Sequence, residues 1–167
     1  MKKINILKWI IDLLWIFSMP VVLIIIGISF ATFFVDLNDL SIAINALDFN
    51  ANSTFSKILF VISSLNYLLL IVALYFFRKV LTNFLRVRVF EEVVISSFNK
   101  IGNILTFSGF ISLIISIIGK IYFEQKVSLE FGLNQHLVII CLGLFFLVLS
   151  EIFKIAKNAK QENDLTI

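Results

Sequence analysis

The strongest constraint on this chain is a pair of uncharged stretches, Leu13 to Val35 with twenty-three residues and Ile58 to Phe77 with twenty. A helix rises about 1.5 Å per residue, so either stretch covers the roughly 30 Å hydrocarbon core of a bilayer. A third apolar run covers Ile101 to Gly119, and a shorter fourth covers Leu137 to Phe153 once Glu151 is admitted near its end. Backbone amides and carbonyls in lipid find no water to bond, so such runs fold as helices. The chain is expected to be all-α: a polytopic membrane protein of four transmembrane helices with cytoplasmic helical extensions. The spans fall at about 9–35, 58–78, 101–119 and 135–153. Their short connections leave no room for a second domain, so residues 1–167 are expected to form one membrane domain.

Composition agrees. Hydrophobic residues make up 60% and charged residues 15%, too little polar surface for a soluble domain of this size. The net charge of +3 raises the question of nucleic acid. The basic residues sit beside apolar runs, however, where they orient a membrane protein, and no direct nucleic-acid contact is expected. The single cysteine, Cys141, excludes an intrachain disulfide or a thiolate cluster and reads as a small buried helix residue. The single histidine, His136, marks the entrance to the fourth run and reads as a polar anchor. No metal or cofactor is expected. Met1-Lys2-Lys3 before an apolar stretch resembles a signal peptide. The stretch is too long for an h-region, contains Pro20 and Gly27, and has no clear cleavage site, so a retained first span is expected.

The basic residues divide unevenly. Lys2, Lys3 and Lys8 precede the first span, and Arg78, Lys79, Arg86, Arg88 and Lys100 lie between the second and third. Lys154, Lys157 and Lys160 follow the fourth, making eleven on one face against Lys57, Lys120 and Lys126 on the other. The positive-inside rule then places both termini and the middle loop in the cytoplasm. The first outer loop, Asp36 to Lys57, carries three aspartates and an Asn52-Ser53-Thr54 sequon to which no weight is given. The second, Lys120 to His136, alternates apolar and polar residues through Ile121, Phe123, Val127, Leu129 and Phe131, a pattern for either a short β-hairpin or a plain loop.

Lipid supplies no hydrophobic drive for helices to associate, so small residues and polar pairs decide which faces meet. Gly102, Thr106, Gly109, Ser112, Ser116 and Gly119 form one such stripe along the third span. It is expected to be a packing seam, within the chain or across a homo-oligomer, rather than the wall of a narrow polar path. Pro20 removes a backbone hydrogen bond and should bend the first span unless neighbours re-satisfy the freed carbonyl. Trp9 and Trp15 bracket the cytoplasmic end of that span, and Lys8 with Asp12 reads as a surface pair one turn apart. Glu151 is expected to pair with Lys154, and Asn66 to hydrogen-bond across helices.

Between the second and third spans, residues 78–100 mix apolar and basic side chains. Read as helix, the segment continues span two, turns near Val87 to Phe90 and returns, with Arg and Lys able to reach anionic phosphates. The tail from Glu151 extends the fourth helix by about three turns. Glu151-Ile152-Phe153-Lys154 and Gln161-Glu162-Asn163-Asp164-Leu165-Thr166-Ile167 resemble the closing signature of a bacterial membrane family catalogued as domain of unknown function 2975. Phe90-Glu91 and Asn99-Lys100-Ile101-Gly102 are similar to its cytoplasmic turn and its entry into the third span. Val87 stands where that family usually has a glycine, and Ala156 where another often follows, which predicts a turn of different shape. The resemblance implies a four-helix integral membrane protein, often encoded beside a small helix-turn-helix regulator, and supplies no catalytic residues.

No nucleophile–base pair, paired carboxylates, phosphate loop or metal-ligand spacing is legible, so catalysis is not expected. The preferred expectation is a non-enzymatic interaction or regulatory module. Arg86, Arg88 and Phe90 of the middle loop, with Glu162, Asn163 and Asp164 of the tail, would form its partner surface for a cytoplasmic protein such as that regulator. A small transporter or channel subunit, using the Ser/Gly stripe and Asn66, is the alternative.

Overall fold

The computed structural model describes residues 2–34, 42–44, 47–49, 53–124 and 134–165. Four long helices dominate: α1 (Lys2–Phe34), α2 (Thr54–Leu85), α3 (Glu92–Glu124) and α4 (Gln135–Leu165). Each is long and apolar enough to cross a membrane, making this a multi-pass membrane protein. At about 1.5 Å per residue the helices run well past the hydrocarbon core at one or both ends. The helix start signals are local. Ser53 caps α2 by accepting from the Phe55 amide, and Asn134 caps α4 by accepting from the Leu137 amide.

Consecutive helices are spatial neighbours, α3 with α4 most extensively, then α2 with α3, then α1 with α2. Val80, Val94, Phe98, Ile101 and Leu105 form the main core where α2, α3 and α4 converge. Phe84, Phe98, Phe146 and Phe153 pack ring to ring there, with Phe98 and Phe153 centred 5.2 Å apart. A second cluster, Leu59, Phe60 and Ile115 with Ile28 of α1, lies toward the other end. There Ser53 and Tyr122 share a 2.9 Å hydrogen bond, and the Tyr122 ring lies 4.5 Å from that of Phe55, tying the start of α2 to the end of α3.

The first helix is peripheral. Its more covered positions, from Ile4 through Lys8, Ile11, Trp15, Ser18, Val22, Ile25 and Ser29 to Thr32, step by alternating fours and threes along one face. That face leans on α2, and most of the rest, including Trp9, Phe17, Leu23 and Phe30, is exposed. The helix continues through Pro20.

Several sequence expectations are corrected. Asp12 pairs with Arg78 of α2 rather than with Lys8, because the α1–α2 contact brings the guanidinium to its carboxylate. Among the described residues no ion pair joins Glu151 to Lys154; Lys157 instead pairs with Glu92 of α3. Cys141 is exposed on the outer surface of α4 rather than buried. A short antiparallel hairpin does form, but in the first loop, where β1 (Ile42–Ile44) pairs with β2 (Leu47–Phe49) through Ile42 opposite Phe49. In the second loop Ile121 and Phe123 are helical because α3 runs on to Glu124, and Val127, Leu129 and Phe131 lie outside the described residues. Asn52 of the sequon also lies outside them.

Candidate functional site

Most of the chain's positive charge gathers at the end of the bundle that holds the α2–α3 turn, the start of α1 and the end of α4. The turn is built from backbone bonds. The Arg88 amide donates to the Asn83 carbonyl at 3.0 Å and the Val87 amide to the Phe84 carbonyl at 3.1 Å, the paired closure of a Schellman motif. That motif needs a left-handed residue just past the helix, and Val87 supplies it at φ 59°. Contrary to the expectation of a different turn, valine here takes the conformation a glycine would favour. A β-branched residue is strained there, by about 1–2 kcal/mol. Its side chain is 68% exposed.

Arg86 and Arg88 flank Val87 and are exposed, and Arg88 reaches Glu91 at 3.5 Å just before α3 begins. Phe90 is 40% exposed and sets its ring 6.1 Å from that of Phe153. The turn and tail segments that carry the family resemblance are therefore in contact through these two rings. Beside them α3 and α4 enclose an open cleft of about 500 Å³, lined by Glu92, Ser96, Asn99, Ser150, Glu151 and Lys154 among others. Ser150 donates to the Ile95 carbonyl at 3.0 Å beneath it. The hydrogen bond and charge of Lys157 hold the Glu92 carboxyl below its ordinary range. Past Lys157, α4 continues to Leu165 with Glu162 and Asn163 exposed, while the side chain of Asp164 lies outside the described residues.

Gly102, Thr106, Gly109 and Ser112 of the small-residue stripe on α3 face α4. A Cβ on Gly102 would come within 2.6 Å of Leu147 and 2.9 Å of the Gly143 carbonyl, and one on Gly109 within 2.6 Å of Ile140. On the other side of this contact, a Cβ on Gly143 would strike the Thr106 hydroxyl and lie 2.6 Å from its backbone nitrogen. Ser112 bonds Nδ1 of His136 at 2.8 Å, Ser116 is partly buried and Gly119 is buried. Gly143 is the residue that sequence reasoning passed over, because a lone glycine between two leucines shows no stripe of its own.

Toward α2 polar contacts accompany the apolar clusters. Asn66 donates to the Ser108 carbonyl at 3.2 Å, as expected of an interhelical bond. Ser29 of α1 donates to Ser64 of α2 at 3.1 Å. The hydroxyls of Ser56, Ser63, Thr106 and Ser108 and the Asn66 Oδ1 are buried without a hydrogen-bond partner. In a low-dielectric interior each such group costs free energy, so their concentration on α2 and α3 is a feature to be explained.

No group of three or more His, Cys, Asp or Glu side chains able to hold a metal occurs among the described residues. In comparisons with known proteins, no curated protein and no solved structure matches the chain. One family does, over residues 2–167, and it is described as protein of unknown function (DUF2975). With turn and tail joined through Phe90 and Phe153 and the match running nearly end to end, the chain belongs to the DUF2975 family.

Proposed function

We propose that the protein is a non-enzymatic interaction module of the bacterial inner membrane, with both termini cytoplasmic. In this reading the α2–α3 turn and the end of α4 dock a cytoplasmic protein, such as a small helix-turn-helix regulator. Charge supports the orientation, since eleven of the fourteen Lys and Arg residues belong to one side of the spans. The observation that carries the docking reading is the exposure of Arg86, Val87, Arg88 and part of Phe90 on a turn outside the apolar runs, next to the α3–α4 cleft. A strained apolar side chain facing water contributes nothing to packing, and contact with a partner would give it a use. Intact protein in detergent should capture a partner that a form lacking residues 154–167 loses; identical partner lists from the two would overturn the reading. A tag placed after Ile167 should resist protease added outside intact cells, and its cleavage would overturn the orientation.

A second reading, a small transporter or channel subunit, is favoured by the five unpartnered buried polar atoms on α2 and α3. It expects flux in proteoliposomes that Gly109→Leu abolishes while the protein remains folded. No flux through the intact protein would remove it.

A further inference from the structure

A basic pocket lies at the same end of the bundle, on the side of α2 that faces α1. Tyr75, Arg78, Lys79, Thr82 and Arg86 step along one face of α2, and Lys8 of α1 stands across a cavity of about 430 Å³ that Val93 of α3 also lines. A volume of this order, within the roughly 300–1,000 Å³ of small-molecule sites, accommodates a phosphodiester headgroup.

Depth and charge both select the ligand. The apolar run of α1 begins at Leu13 and that of α2 ends at Phe77, so Lys8 and residues 78–86 sit just outside the hydrocarbon. From Arg78 to Arg86 the helix rises about 12 Å, through the phosphate layer. The Arg78 guanidinium lies 4.9 Å from the centre of the Trp15 ring, an aromatic placed where interfacial tryptophans reside. The nearby acids have partners of their own: Asp12 with Arg78 at the pocket wall, Glu91 with Arg88, and Glu92 with Lys157. None of these ion pairs takes up Lys8, Lys79 or Arg86. Three cations converging on one cavity repel one another unless an anion joins them.

We infer that this pocket binds the phosphate headgroup of an anionic phospholipid. Lys8, Lys79 and Arg86 supply the charge, and Tyr75, half-exposed at the hydrocarbon side of the lining, offers a hydroxyl donor. The site bridges α1 and α2, so a bound lipid would fasten the peripheral helix to the rest of the bundle. It shares only Arg86 with the docking surface and holds whether or not that surface has a partner.

The test uses the full chain in phosphatidylcholine nanodiscs, offered phosphatidylglycerol or inorganic phosphate, with bound species read by native mass spectrometry. Phosphatidylglycerol should be retained over phosphatidylcholine. The Lys8→Gln, Lys79→Gln, Arg86→Gln triple variant should weaken that retention by about fivefold per cation, roughly a hundredfold in all. A Lys2→Gln, Lys3→Gln, Lys160→Gln triple variant removes the same charge and should retain the lipid. Lys79→Gln alone should show its single step and Lys79→Arg should restore binding, which separates lost recognition from lost folding. Equal retention of the two lipids, or equal losses in the two triple variants, would overturn the inference. So would inorganic phosphate occupying the site without any preference for the anionic lipid.

Discussion

Val87 shows how one residue can hold a conformation that it intrinsically disfavours. The Schellman bonds from Val87 and Arg88 and the contact of Phe90 with Phe153 together over-determine the turn, so the valine is carried into the left-handed region. Val87→Gly should relieve that strain and raise unfolding stability in detergent by about 1 kcal/mol, with the glycine's greater freedom in the unfolded chain offsetting part of the gain. Measurement by denaturant titration in mixed micelles checks this; a destabilised variant would mean that the side chain makes a contact worth more than the strain. Glu92 offers a second prediction at this scale. It lies well ahead of the apolar run that opens at Ile101, and Lys157 lowers its pKa by hydrogen bond and charge. A depressed carboxylate stabilises the fold above its unfolded-state pKa, and the contribution disappears as pH falls through the lower folded value. The pair is exposed, so salt should screen it as well. Protection factors near the end of α4, taken relative to the intrinsic exchange rate at each pH, should therefore fall as the solution is acidified below the ordinary glutamate range, and Glu92→Gln should abolish that fall.

Among the elements, α3 and α4 approach most closely, and glycine is what permits it. With Gly102, Gly109 and Gly143 at the contact, backbone meets backbone and dispersion replaces the hydrophobic drive that lipid cannot supply. Gly143→Val would drive a side chain into the Thr106 backbone, which cannot retreat without separating the helices, at a cost of about 1–3 kcal/mol. Gly27 in α1 is the internal control, since a Cβ there meets nothing within 4 Å. Gly27→Ala should be neutral or stabilising by up to about 1 kcal/mol through helix propensity. Melting curves of the two variants in one detergent compare them directly. The third-span stripe was visible in the sequence because small residues recur at helical spacing, whereas its partner was not. Gly143 acquires meaning only when α4 is turned to present it.

For the molecule as a whole, the arrangement is a three-helix core with a fourth helix at its flank. α2, α3 and α4 share the phenylalanine cluster, whereas α1 attaches chiefly to α2 through Asp12–Arg78, the Ser29–Ser64 bond and Ile28. Because both ionic partners are partly exposed, their pairing is worth only about 1 kcal/mol or less. Arg78→Gln should accordingly loosen the start of α1 without unfolding the core. Trypsin should cut faster at Lys8 while protection of α2–α4 against hydrogen exchange stays unchanged, and a global loss of protection would show that α1 is integral to the core. The unpartnered buried polar atoms on α2 and α3 were only partly legible. Asn66 stands out in an apolar run, but serines are common there, and only the packing shows which of them are enclosed.

Hydropathy and length alone established the four helices, their order and the shared basic end, because a backbone in lipid must satisfy itself and few other solutions exist. The position of the turn near Val87 to Phe90 was equally local. Tertiary structure decided the pairings: Asp12 with Arg78, Glu92 with Lys157, Gly143 against Thr106, and Lys8 opposite Lys79 and Arg86. Each joins residues distant in sequence, and such partners follow from how the helices rotate and lean on one another. That rotation depends on the summed fit of many weak contacts, which no single segment contains.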